Sequence, residues 1–203
     1  MHVHSACVQR RIARGVTAMI VVWGVAVGHP SAQGKPRKQT APETFSARLS
    51  VGAQEGRGDA YVTIRVDRYS APKDIDLMEK ALKEGGSAAF AVALKRAPIV
   101  GHIEAGNKSF SIRWAREKPS DTGRVISLVV DSPVYFVGGG VPGAKSREGF
   151  DTAVVQLTMD SSGLGEGRMA AAAKVKPGGA TGVDIEAYDA EPVKLTSVKR
   201  QIS

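Results

Sequence analysis

Residues 74–98 read DIDLMEKALKEGGSAAFAVALKRAP, the one long helical passage in a chain that otherwise alternates apolar and polar residues like β-strand. Ile75, Met78 and Leu82, with Leu77 and Ala81 beside them, recur at three- and four-residue spacing and form one apolar stripe. Asp74 and Asp76 open this helix and Lys80 and Lys83 close it, the polarity that the helix dipole favours. Gly85-Gly86 supplies a stop, and Ser87 is a candidate N-cap for a second helix carrying Phe90, Ala91 and Leu94. Ala97-Pro98 ends it. The pattern predicts a helix pair over about 72–97, with Leu77, Met78, Leu82, Phe90 and Leu94 turned toward a β body.

Working outward, that body is read as strands. Phe45, Ala47, Leu49 and Val51 alternate with polar residues, GAQEGRGDA (52–60) turns, and Val62, Ile64 and Val66 return. After the helices come Val100–Glu104, then Phe110, Ile112 and Trp114 on what alternation makes one face. RVISLVV (124–130) is apolar on both faces, as a central strand would be. Val134–Val137 precedes GGGVPGAKSREG (138–149), the longest stretch without a pattern. Ala153 to Met159 alternate. RMAAAAKV (168–175), helical by alanine propensity, is read as strand because it is short and lies between glycine-rich turns. Val183, Ile185 and Ala187, then Val193 and Leu195, supply the last hairpin. The fold class is mainly β: an antiparallel barrel or sandwich, with the two-helix insert closing one end.

The first 32 residues read as an export signal. Arg10, Arg11 and Arg14 precede the 13-residue apolar core GVTAMIVVWGVAV (15–27), and small residues follow, with cleavage expected after Ala32. The core is shorter than the roughly 20 residues a membrane span needs, so no transmembrane segment is expected after processing. The Arg10-Arg11 continuation departs from a twin-arginine signal, which points to general secretion and a periplasmic or extracellular address. Residues 33–43 (QGKPRKQTAPE) read as a disordered tether, leaving 44–203 as one domain.

Processing changes the inventory. The single cysteine, Cys7, leaves with the signal, and His102 is the one histidine that stays. Net charge falls from +8 to +5 with the three arginines, and residues 44–203 hold 22 basic against 19 acidic groups. The basic balance is therefore no argument for nucleic acid. ALKEGG (81–86) with KRAP (95–98), SPVYF (132–136), GLGEGRM (163–169) and PVKLTSVKR (192–200) together resemble a group of exported bacterial proteins of unknown function. That resemblance implies export and single-domain organisation and assigns no functional residue.

One histidine and no cysteine offer neither a zinc site nor a thiol nucleophile, so no metal and no cofactor are expected. A serine triad could run only through His102, and no GxSxG is present; a surface position for His102 is the simpler reading. GLGEG (163–167) lacks the spacing of a phosphate loop and is read as a turn. Asp184 and Glu186 stand two apart on a strand, about 7 Å along one face, within reach of glycosidase chemistry on an envelope or extracellular polysaccharide. A solvated strand face explains them more simply. Trp114, Tyr135 and Phe136 are the candidate ligand-binding residues, lining an apolar cavity if the helices close a barrel. The expectation is a non-catalytic exported protein binding a small apolar molecule or an envelope protein, with the polysaccharide hydrolase through Asp184 and Glu186 as the alternative.

Overall fold

Every strand here finds its neighbour in the chain before or after it, with one exception that closes the structure on itself. The computed structural model describes residues 42–50, 60–134, 147–189 and 192–201. In chain order these form β1 (Glu43–Ser50), β2 (Ala60–Val66), α1 (Pro72–Arg96), β3 (Gly101–Ala105), β4 (Lys108–Ser120), β5 (Gly123–Val130), β6 (Thr152–Asp160), β7 (Leu164–Gly178), β8 (Gly182–Tyr188) and β9 (Val193–Gln201). All pairings are antiparallel. The ladder runs β6-β5-β4-β3-β2-β1-β9-β7, and β6 also pairs with β7, so eight strands close into a barrel. β8 lies outside the ring, on the far half of β7. Of the two architectures the sequence allowed, the protein is a barrel.

The alternation predicted from sequence fills its interior. Phe45, Ala47 and Leu49 of β1, Val62, Ile64 and Val66 of β2, and Ala153, Val155, Leu157 and Met159 of β6 meet Ile103, Ile112, Ile126, Leu128, Met169 and Leu195 in one cluster. Residues from all eight strands can meet only inside the ring. RMAAAAKV is strand, part of the 15-residue β7. In GLGEG, only Gly163 belongs to the turn. Gly165 and Gly167 lie within β7, where a Cβ would fall 2.2 Å from the Thr158 carbonyl oxygen and 2.5 Å from that of Gln156.

A buried ionic cluster sits inside the barrel wall. Glu43 is the first residue of β1, at the boundary drawn for the tether, and is only 4% exposed. Its Oε1 and Oε2 accept from Arg124 Nη2 (2.8 Å) and Nη1 (2.9 Å), the bidentate geometry suited to a guanidinium. Tyr69 Oη donates to Oε2 at 2.7 Å, Arg200 Nε lies 3.1 Å from Oε1, and Arg124 also reaches Glu117 at 2.6 Å. Burial alone would raise the Glu43 pKa, but hydrogen bonds from Arg124 and Tyr69 and the charges of Arg124 and Arg200 hold it below the ordinary value of 4.5. The same burial, together with Glu43, pushes the Tyr69 hydroxyl up.

The helix run is interrupted where the glycines predicted it: Gly86 has φ 66° and ψ −163°, so 72–96 is two helical segments meeting at a kink. Pro72 occupies the first turn, where its missing N–H costs nothing. Met78, Leu82, Phe90 and Leu94 are buried as predicted, whereas Leu77 is 65% exposed, being about 100° around the helix from Met78. The pair does not close an end of the barrel. It packs on the outer wall, where Met78, Leu82, Phe90 and Leu94 meet the outward-facing Val129, Val154 and Ala170 and Val175 and Val183 beyond the ring. This second, outer core is why β5 is apolar on both faces.

Two local devices seat the helices. A register shift between Ile112 and Trp114 in β4 turns Trp114 out of the barrel, so it shares the outer core with Phe90 rather than the inner core with Ile112. Just past the shift, Ala115 exchanges two bonds with Ser70: its N–H donates to Ser70 Oγ (3.0 Å), and its carbonyl accepts from the Ser70 N–H (2.8 Å). At the kink, Ser87 Oγ accepts the Val175 N–H at 3.1 Å, so the hydroxyl read as a cap ties the helices to β7. Among the described residues no helix is long and apolar enough to cross a membrane.

Candidate functional site: a polar groove on the outer wall

The half of β7 that leaves the barrel pairs with β8, and this hairpin divides the outer surface into two sides. One side carries Val175, Val183 and Ile185 against the helices. The turn of the hairpin is held down on the wall. Thr181 Oγ1 donates to Ser127 Oγ at 2.7 Å in a buried contact, and Arg116 Nη1 donates to the Thr181 carbonyl (3.0 Å) and to Glu79 Oε1 (2.6 Å). Gly182 has φ 95°, a conformation that calls for glycine, and a Cβ there would also push against the Glu79 carboxylate that holds Arg116.

On the other side, between hairpin and wall, lies a groove of about 700 Å³. Its floor is built from strand positions that alternation turns outward: Ser127 on β5, Gln156 and Thr158 on β6, Glu166 and Arg168 on β7, and Lys194 and Thr196 on β9. Gly179, Ala180 and Asp184 contribute from the hairpin. Arg168 Nε donates to Gln156 Oε1 at 2.7 Å, which orients the guanidinium across the floor. The groove thus offers two cations, two carboxylates, two hydroxyl groups from threonine and one amide, and no aromatic platform among the described residues. Val125, Ala180 and Leu195 add apolar surface, so the lining combines hydrogen-bonding and charged groups with apolar contact.

The residues singled out from sequence fall in different places. Asp184 lines the groove, and its Oδ1 accepts the Ile185 N–H at 2.8 Å, covering an amide on the outer edge of β8. Glu186 does not line the groove. It is exposed at a register shift between the pairs Lys174–Ala187 and Val175–Ile185. Of the two carboxylates that alternation placed side by side, one lines the groove and the other stands at a local irregularity that no residue type announces. Trp114 is fully buried under the helices, its ring centroid 6.0 Å from that of Phe90, and its Nε1 has no hydrogen-bond partner among the described residues. Tyr135 and Phe136 lie outside the described residues. His102 is half-buried on β3, beside Arg65 and Ser111. No grouping of three His, Cys, Asp or Glu side chains suited to a metal ion occurs among the described residues.

Sequence reasoning missed Gln156, Arg168 and Lys194, because strand register, rather than spacing along the chain, brings them into one row. The class defined by fold and site is a closed antiparallel β-barrel carrying an external helix pair and an external polar groove. No protein family, curated protein or solved structure matches the chain.

Proposed function

We propose that this chain is an exported, non-catalytic binding protein that takes a polar ligand in the groove on the outer wall of its barrel. The observation that carries the reading is the groove itself: about 700 Å³, large enough for a small organic ligand, walled by a pinned hairpin and lined by charged and hydrogen-bonding side chains. The packed side chains of the inner core favour this outer location over an apolar ligand inside the barrel. Trp114, fully buried between wall and helix, supports the same choice. Export rests on the basic, apolar and small-residue succession of residues 1–32.

The test is a chemical-shift titration of the isotope-labelled chain with a panel of short peptides, monosaccharides and, as the apolar probe, dodecanoate. The expected result is saturable movement of the amides of Gln156, Thr158, Arg168, Asp184 and Thr196 with polar probes. Saturable binding of dodecanoate alone, moving inner-core amides such as Ile64 and Leu128, would replace this reading with an internal apolar site.

A further inference from the structure

The floor of the groove is a set of cross-strand rows, and one of them is electrostatically odd. Ser127, Gln156, Arg168 and Lys194 are successive register partners across β5, β6, β7 and β9, and all four line the groove. Arg168 and Lys194 therefore stand directly opposite each other in one antiparallel ladder. Like charges in that relation destabilise a sheet. Arg168 and Lys194 are both exposed, whereas the part-buried arginines of the barrel wall have acidic partners: Arg113 pairs with Asp131, Arg116 with Glu79, and Arg124 with Glu43 and Glu117. Arg168 and Lys194 form no ion pair among the described residues, although Glu166 and Asp184 line the same groove. The Arg168 guanidinium is held by its Nε on Gln156. Its two Nη groups, which carry four of the guanidinium's five N–H donors, have no acceptor among the described residues.

We infer that the opposed Arg168–Lys194 pair is an anion seat, and that the ligand of the groove is a small polar organic acid whose carboxylate sits there. The inference rests on the groove being the binding site. A binding role explains why the fold keeps a repulsive pair that burial and packing do not require: the ligand's charge removes the repulsion. The two carboxylates of the lining bring the formal charge of the groove to zero, which suits a singly charged carboxylate better than a phosphate dianion. Glu166 and the hydroxyl groups of Thr158 and Thr196 are then available to amino or hydroxyl groups elsewhere on the ligand. Both an amino-acid carboxylate and a sugar acid meet this description.

The experiment titrates the labelled full chain with glycylglycine, D-glucuronate, glucose and phosphate at constant ionic strength, and repeats it with R168Q/K194Q and with K199Q, an exposed β9 lysine outside the groove. A carboxylate probe should saturate the Gln156, Arg168 and Lys194 amides, bind about tenfold or more weakly to R168Q/K194Q, and be unchanged by K199Q. Which of the two carboxylates saturates at lower concentration distinguishes peptide from sugar acid. Equal carboxylate affinity in R168Q/K194Q, or tighter binding of phosphate than of either carboxylate, would overturn the anion seat. Glucose occupying the groove equally in all three proteins would leave the groove as a binding site and remove the anion seat. Saturable binding of every probe elsewhere would remove both.

Discussion

Replacing Glu43 by glutamine keeps the side-chain shape and removes one charge from the inside of the barrel wall. Glu43 is nearly inaccessible, and three groups converge on it: Arg124 through two bonds of 2.8 and 2.9 Å, Tyr69 at 2.7 Å and Arg200 at 3.1 Å. A glutamine has one acceptor oxygen where the carboxylate has two, and its NH₂ would face donors. Arg124 would retain Glu117 at 2.6 Å, which softens the loss. Breaking one side of a buried ion pair typically costs about 3–5 kcal/mol, and the residual Glu117 contact places Glu43→Gln at the lower end, about 3 kcal/mol. The pH dependence has a definite sign. The Glu43 pKa is depressed on folding, so its stabilisation is complete above the ordinary carboxylate value of 4.5 and is lost as pH falls through the lower folded value. Urea unfolding of both proteins between pH 7 and pH 3 measures this directly: the gap between them should be widest near neutrality and shrink below about pH 4. A difference under about 1 kcal/mol at pH 7, or a gap that stays constant to pH 3, would refute the assignment of Glu43 as an ionised buried partner of Arg124.

Three further outcomes are expected. Leu82→Asp should cost on the order of several kcal/mol because Leu82 is buried in the outer core, whereas Leu77→Asp on the exposed side should cost about 1 kcal/mol or less; comparing their denaturation midpoints checks the facing of the helix. Ser87→Ala should cost about 1–3 kcal/mol by leaving the Val175 N–H without its acceptor, and hydrogen exchange at Val175 should accelerate more than at residues in the middle of β5. N-terminal sequencing of exported protein should begin near Gln33; a mature chain that retains Cys7 would contradict the export reading.

The class of fold was legible in the chain because one strand pattern, with a period of two, sorts residues into in and out without reference to anything distant. Phe45, Ala47 and Leu49, then Val62, Ile64 and Val66, and then Ala153, Val155, Leu157 and Met159 face the interior as their alternation required. The helix kink was equally local: only glycine adopts the φ of 66° at Gly86 without strain. What alternation could not supply was the irregularities. The register shift at Ile112/Trp114 sends a tryptophan from the inner face to the outer one, and a second shift falls at Glu186, because one extra residue in a strand inverts every face beyond it. Barrel closure, the helices lying on the wall rather than over an end, and the row Gln156–Arg168–Lys194 were decided by tertiary structure alone. Residues 156, 168 and 194 become neighbours only through the hydrogen-bond register of three strands, and that register is set by the packing of the whole core rather than by any segment of sequence.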